Sequence, residues 1–211
     1  MSGLSSLLNS DIGRQMIGGI SSQAGTSESQ TSNLLSMALP VLTGAMKKNA
    51  STPEGAQGLM NALNSKHDGS ILDNLGGLFG GGGVDSSVLD DGTGILGHVL
   101  GGKQASVESA LSSKSGVDAG TVSQVLKMAA PLILGFLGKQ TRQNNINDSS
   151  GLNGLLGGLL GGESKDNQNL ITTLLDADGD GSVLDDVAGM VLGGNKKKSG
   201  LGGLLGGLFG K

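Results

Sequence analysis

The densest group of potential metal ligands lies in the stretch LLDADGDGSVLDDVAGMVLGG, which begins at Leu174. An EF-hand-type loop needs oxygen ligands at positions 1, 3 and 5, a glycine at position 6 and a backbone carbonyl at position 7. The residues that meet these requirements in order are Asp176, Asp178, Asp180, Gly181 and Ser182. Carboxylates this close repel one another unless a cation lies among them. The spacing therefore predicts a calcium site.

The end of this loop departs from the EF-hand pattern. Position 12 is Val187 instead of the usual bidentate Glu, and we expect Asp186 to complete the ligand set. A purely structural turn is the alternative, because Asp and Gly are common in turns and Ser182 can cap the next helix. A related turn at 64–74, NSKHDGSILDN, has Lys66 at the second acidic position. There we expect the lysine ammonium to take the place of an ion.

The elements that must position these turns are helices in two related units. Segment 20–48 aligns without a gap on segment 111–139, with ten identical residues in twenty-nine, and Pro40 lies over Pro131. With three Phe and no Trp or Tyr, any core must be aliphatic, which favours helix packing over a β-sandwich. We predict an all-α fold of two tandem repeated units. The expected divisions are 1–83, a connector at 84–91, 92–194 and a Lys- then Gly/Leu-rich tail at 195–211.

Local signals set the expected helix ends. Ser27 is a candidate N-cap, and Thr52 followed by proline should start a short helix. The prolines inside the two aligned segments should kink or end their helices. A tetrad Ser-Ile/Val-Leu-Asp is expected to form capping boxes, in which Ser is the cap and the Asp side chain accepts from the backbone N–H of that Ser. Its three copies begin at Ser70, Ser87 and Ser182.

Three stretches are built almost wholly of glycine and leucine: 75–83, 151–162 and 200–210. As helices they would carry one leucine stripe and one smooth glycine face that another backbone can approach closely. This reading predicts homo-oligomers, or insertion at a membrane surface helped by Lys196–Lys198. The alternative is a flexible linker and tail, which glycine's helix cost of roughly 1 kcal/mol relative to Ala favours.

Composition and charge restrict the remaining functions. The net charge of −4 and the lack of a broad basic face argue against a nucleic-acid partner. No signal-peptide pattern opens the chain and its longest apolar run, 128–137, is too short to span a bilayer, so a cytoplasmic location is the default and an extracytoplasmic one stays open. We expect His67 to be exposed before its turn and His98 to be packed. No nucleophile–base pair or small-molecule substrate is identifiable, so we expect no enzyme.

Three segments resemble the YidB-like family of bacterial proteins of unknown function. They are GILGHVLGG at 94–102, VSQVLKMAAPLILGFLGK at 122–139 and LLDADGDGSVLDD at 174–186. The resemblance implies a small, all-helical bacterial protein and supplies no catalytic residues. The favoured function is a non-catalytic scaffold or interaction protein with a calcium-binding loop. A peripheral membrane or envelope-associated protein is the alternative, and an enzyme with an unrecognised site ranks third.

Overall fold

The structure is a computed structural model that describes residues 3–80 and 83–175. Within these ranges the chain forms helices and no β-strand, which confirms the predicted all-α class. The helices are α1 (Gly3–Asn9), α2 (Asp11–Ala24), α3 (Glu28–Asn49), α4 (Pro53–Ser65), α5 (Leu75–Gly80), α6 (Ser86–Leu100), α7 (Gln104–Ser115), α8 (Ala119–Gln143), α9 (Ser149–Leu160) and α10 (Lys165–Leu175), with short 3-10 turns at Ser70–Asn74 and Gly101–Lys103.

Several sequence predictions concern residues outside these ranges. They are the calcium ligands Asp176, Asp178, Asp180, Ser182 and Asp186, the tetrad that begins at Ser182, and the tail 195–211 with its Gly/Leu stretch. These predictions are therefore untested by the described structure.

The two long helices, α3 and α8, form the centre of the fold. Their inward side chains belong to one contiguous cluster of buried aliphatic residues that also receives side chains from the surrounding helices. Helix α8 is long and apolar enough to cross a membrane, and 67% of its most apolar window is buried inside the protein. That degree of burial is typical of a core helix.

The two long helices begin in the same way. Each follows a glycine in the left-handed region, Gly25 with φ 65° and Gly116 with φ 72°, which ends the preceding helix. Ser27 then caps α3 by accepting from the N–H of Gln30, and Asp118 caps α8 by accepting from Thr121. The aligned segments are thus both helix–turn–helix units, although the tandem duplication itself stays a prediction.

Neither internal proline ends its helix, contrary to one of the two outcomes we expected. Helix α3 continues beyond Pro40 to Asn49. A proline has no N–H for the carbonyl four residues earlier, which in α3 is Ser36. The side-chain amide of Asn167, on α10, donates to that Ser36 oxygen at 3.2 Å. A neighbouring helix therefore replaces the hydrogen bond that proline removes.

In α8 the corresponding carbonyl meets a glycine. Pro131 leaves the carbonyl of Lys127 without its helical donor, and Gly92 of α6 lies directly against it. A β-carbon at position 92 would overlap the Lys127 oxygen. Only a glycine allows α6 to come this close, and a Cα–H group can then contact the carbonyl.

The capping boxes predicted from the Ser-Ile/Val-Leu-Asp tetrads are wrong at both described copies. The N-cap of α6 is Asp85, which accepts from the N–H of Ser87 at 2.8 Å. At the first copy Asp68 accepts from the N–H of Ser70 at 3.0 Å, while the 3-10 turn begins after Gly69 and has no side-chain cap. Asp side chains bond the backbone two residues on in this way in Asx turns. The backbone bond from Ser87 also holds the pKa of Asp85 below its usual range.

Each long helix is covered in part by a short element from the other part of the chain. The turn after α4 lies on α8, where a β-carbon at Gly135 would be 2.6 Å from Cγ2 of Ile71. Helix α10 lies on α3, where a β-carbon at Gly44 would be 3.0 Å from Cγ2 of Ile171. Gly44 and Gly135 are aligned residues of the two related segments. An isoleucine side chain therefore packs against each of these two glycines.

The Gly/Leu stretch at 151–162 is helical for most of its length, so the flexible-linker reading is wrong there. Helix α9 packs against α1, α3 and α4. Its stripe of Leu152, Leu156 and Leu159 is buried. Burial of leucine side chains, each about 1.5–3 kcal/mol, offsets the helix cost of the glycines.

Gly92→Ala should destabilise the fold, because the added methyl group must displace α6 from the Lys127 carbonyl. Overpacking of this kind costs about 1–3 kcal/mol. Gly94→Ala, in the same helix with open space around it, is the matched control and should stabilise by up to about 1 kcal/mol through helix propensity. Urea unfolding of both variants measures the difference, and equal effects would contradict the close contact.

Candidate binding groove

An open groove of about 1120 Å³ lies between α4 and α6. Its floor includes Met46 of α3 and Leu134 of α8, both nearly inaccessible to solvent. Leu59 and Ala62 line the α4 wall, and Ile95 and Val99 line the α6 wall. The lining residues recur at helical spacing on each wall, so each helix presents one complete stripe to the groove.

Polar contacts at the two ends of the groove show that its walls run in opposite directions. At one end the side-chain amide of Asn49 donates to the carbonyls of His98 at 3.1 Å and Val99 at 3.3 Å, which joins the end of α3 to the end of α6. At the other end the ammonium of Lys66, after α4, lies 2.5 Å from Oδ1 of Asp91, near the start of α6. These contacts hold the walls in place while leaving the space between them open.

The two histidines are the reverse of what the sequence suggested. His67 is buried, 6% exposed, whereas His98 is exposed on α6. Burial comes from the turn after α4, which lies so close to α8 that a β-carbon at Gly138 would overlap the His67 carbonyl. His98 lies in an apolar run, but its position on the helix faces the groove, where its Nδ1 is 3.2 Å from the Gly94 oxygen.

Burial and two neighbouring charges act on the pKa of His67 in different directions. Its Nε2 lies 3.7 Å from Oδ2 of Asp91. Burial lowers the pKa of His67 below its ordinary value because it disfavours the charged imidazolium. The carboxylate of Asp91 raises that pKa and the ammonium of Lys66 lowers it further, so the net shift is downward. His67 therefore lies in the groove wall as a neutral ring near neutral pH.

Small residues give the groove smooth walls and acids mark its rim. Gly58 on α4 and Gly94 on α6 line the groove, and a β-carbon at either would meet nothing within 4 Å. Another helix could therefore approach both walls closely. Glu54, at the start of α4, and Asp90, near the start of α6, also line the groove. Since the walls are antiparallel, these acids lie toward opposite ends.

The last described helix ends against Lys48, a residue that also lines this groove. The backbone carbonyl of Leu175, at the end of α10, accepts from the ammonium of Lys48 at 3.0 Å and of Lys103 at 2.6 Å. Cations are favourable at a helix C-terminus because its carbonyls carry partial negative charge. Lys48 is also a groove-lining residue. Helix α10 therefore ends beside two positive charges, one of which belongs to a groove-lining residue.

The turn at 64–74 is held in place by hydrogen bonds and ion pairs within the protein. We had expected the Lys66 ammonium to take the place of an ion in this turn, and the structure shows it paired with Asp91 of α6. Asp68 instead accepts from Ser70 and lies 3.1 Å from the guanidinium of Arg142. The backbone bond from Ser70, followed by the Ser70 hydroxyl and Arg142, lowers the pKa of Asp68. This turn is therefore a structural connection onto α8.

The described groove combines apolar walls with a few charged and polar side chains. Across residues 3–80 and 83–175 no group of three or more His, Cys, Asp or Glu side chains could hold a metal ion. Sequence reasoning missed this site, although its signal is present as Gly55, Leu59, Ala62 and Lys66 at helical spacing. Such a stripe reads equally well as core, and only the placement of α6 shows that it faces open space.

Comparison with known proteins assigns a family to the chain. Residues 6–140 match the family model DUF937, described as a bacterial protein of unknown function. The match covers more than half of the chain, and the protein belongs to this family. No curated protein and no solved structure matches it. All of the groove-lining residues lie within the matched range, whereas the acidic loop at 176–186 and the tail follow it.

Replacing His67 should remove a pH dependence of stability. The folded pKa lies below the unfolded value of about 6.5, so the contribution of neutral His67 is complete above that pH and is lost as the pH falls through the folded pKa. His67→Gln should therefore flatten the fall in unfolding free energy on the acid side of about pH 6.5. His98→Gln, at an exposed position, is the control. Equal pH profiles for the wild type and His67→Gln would refute this account.

Proposed function

We propose that this protein is a non-catalytic interaction scaffold that binds an amphipathic helix in the groove between α4 and α6. The observation that carries the proposal is the shape and chemistry of the groove: two antiparallel helical walls, an aliphatic floor and small residues along both sides. Grooves of this kind bind helices that insert apolar side chains at i, i+3, i+4 and i+7.

The dimensions favour a helix over a small molecule. Between Ser87 and Val99 the α6 wall extends about 18 Å at 1.5 Å per residue, and Glu54 to Lys66 gives the same length for the α4 side. The volume of about 1120 Å³ is at or above the upper end of ordinary ligand pockets, roughly 300–1,000 Å³. The acids Glu54 and Asp90 favour a partner helix with basic residues at its ends.

A synthetic amphipathic peptide tests this function directly. The probe is a fluorescein-labelled helix of fourteen residues with a leucine stripe and lysines at both ends. Fluorescence anisotropy should show saturable binding to the full chain, and Ala62→Glu should weaken it at least about tenfold, or 1.4 kcal/mol, by placing a carboxylate on the apolar wall. Ala105→Glu, an exposed alanine of α7, is the matched control. No saturable binding below about 1 mM, or equal loss in both variants, would reject the groove as the site.

The second part of the proposal is the calcium loop of Asp176, Asp178, Asp180, Ser182 and Asp186. Its support is the ligand spacing in the sequence together with the fixed end of α10, since Leu175 immediately precedes the first ligand. Lys48 and Lys103 place two ammonium groups near the start of the loop. They oppose a divalent cation, which agrees with the weak affinity expected from the missing Glu at position 12.

Calcium should stabilise the full chain. The expected Kd is on the order of 10⁻⁵ to 10⁻³ M, and a hundredfold excess over Kd should add about 2.7 kcal/mol to the free energy of unfolding. Asp178→Ala should abolish the calcium-dependent rise in melting temperature, because it removes a ligand. Lys66→Ala, in the related first turn, should leave that rise unchanged. A melting temperature indifferent to millimolar calcium would leave the segment as a turn.

The remaining assignments rest on the sequence. The YidB-like resemblance is compatible with the DUF937 family and is our finer placement of the chain within it. A cytoplasmic location and the lack of enzymatic activity stay predictions, as does self-association through Gly/Leu segments. Helix α9 buries its leucine stripe within its own chain, which favours the use of such segments in protein packing over insertion at a membrane surface.

A further inference from the structure

The tail of the chain repeats the sequence of a helix that the structure shows in place. Residues 200–209, GLGGLLGGLF, match residues 151–160, GLNGLLGGLL, at eight of ten positions. Helix α9, which contains the second sequence, packs with Leu152, Leu156 and Leu159 buried. The corresponding tail residues are Leu201, Leu205 and Leu208. The chain therefore carries a second copy of a segment that folds as a packed helix against α3 and α4.

The starting point of the tail is close to an open site of the right size. Leu175 is held by Lys48, which lines the groove. The 24 residues from 176 to 199 would span about 27 Å as a flexible chain, which exceeds the 18 Å length of the groove. A helix of the eleven residues 200–210 is about 16 Å long, so it matches the length of either wall.

The charges around the groove and the tail segment are complementary. Lys196, Lys197 and Lys198 precede the Gly/Leu stretch, and Lys211 follows it. The groove has Glu54 toward one end and Asp90 toward the other, and its lining also includes Lys48 and Lys66, of which Lys66 is paired with Asp91. A helix lying along the groove would bring basic residues near the carboxylates of Glu54 and Asp90 in either direction.

We propose that residues 200–210 bind as a helix in the groove between α4 and α6 of the same chain, with Leu201, Leu205 and Leu208 facing its floor. This proposal rests on the proposed function of the groove and identifies its resting occupant. Tethering raises the effective concentration of the segment to the order of millimolar. A partner helix must therefore displace the tail, and the tail sets the affinity threshold for binding.

Engineered disulfides in the full chain test the position of the tail, since the natural sequence has no cysteine. Gly206→Cys is combined in turn with Gly58→Cys on the α4 wall and Gly94→Cys on the α6 wall. The control pair uses Gly76→Cys on α5, an exposed glycine with open space around it and outside the groove. Under mild oxidation at least one wall pair should cross-link within the monomer at least ten times faster than the control pair. Adding Leu205→Glu should reduce that rate to the control rate.

Two outcomes would overturn the proposal. In one, both wall pairs react at the control rate. In the other, the product is a dimer whose formation rises with protein concentration, which would make a second copy the occupant. The peptide probe separates this result from failure of the groove: Leu205→Glu should tighten probe binding at least threefold. Equal probe binding to wild type and Leu205→Glu would reject the tail and keep the groove, whereas no binding to either would reject the groove itself.

Discussion

Contact of glycine with the backbone of another element is the interaction on which this structure depends. The chain has three Phe and no Trp or Tyr, so it lacks the large side chains that usually supply much of a core's buried area. Its helices instead come close together, at Gly92 against the Lys127 carbonyl and at Gly138 against the His67 carbonyl. Each glycine removes a β-carbon where one would overlap an oxygen. Many short-range dispersion contacts then stabilise the core in place of a few large side chains.

The groove is a consequence of these same contacts. Gly92 fixes the start of α6 to α8, and Gly138 fixes the turn after α4 to the same helix, so both walls are anchored on one rigid element. Leu134 lies between the two anchor points in sequence and forms part of the floor. Lys66 and Asp91 then close one end with an ion pair of 2.5 Å. The walls are thereby positioned by backbone contacts outside the groove, and its interior is free to accept another helix.

The sequence predicted elements better than it predicted their surroundings. Periodicity and composition were sufficient for the helical class, and Ser27 and Thr52 cap the helices expected of them, because these signals are local. The prolines were expected to kink or end their helices because of their local cost, but neither helix ends there, and Asn167 and Gly92, from distant parts of the chain, contact the freed carbonyls. The exposures of His67 and His98 were reversed for a similar reason. A histidine in a turn is buried if the turn lies on a core helix, and one in an apolar run is exposed if that face lines an open groove.

The two related parts of the chain are joined by an exchange of packing partners. The turn after α4 completes α8 through Ile71 at Gly135, while α10 completes α3 through Ile171 at Gly44. Each long helix is covered in part by an element from the other part of the chain. The buried cluster is therefore continuous across the connector predicted at 84–91. The exchange also explains why the groove lies where it does. Helix α4 must reach across to α8, and this crossing leaves the space between α4 and α6 that α9, packed against α1, α3 and α4, does not fill.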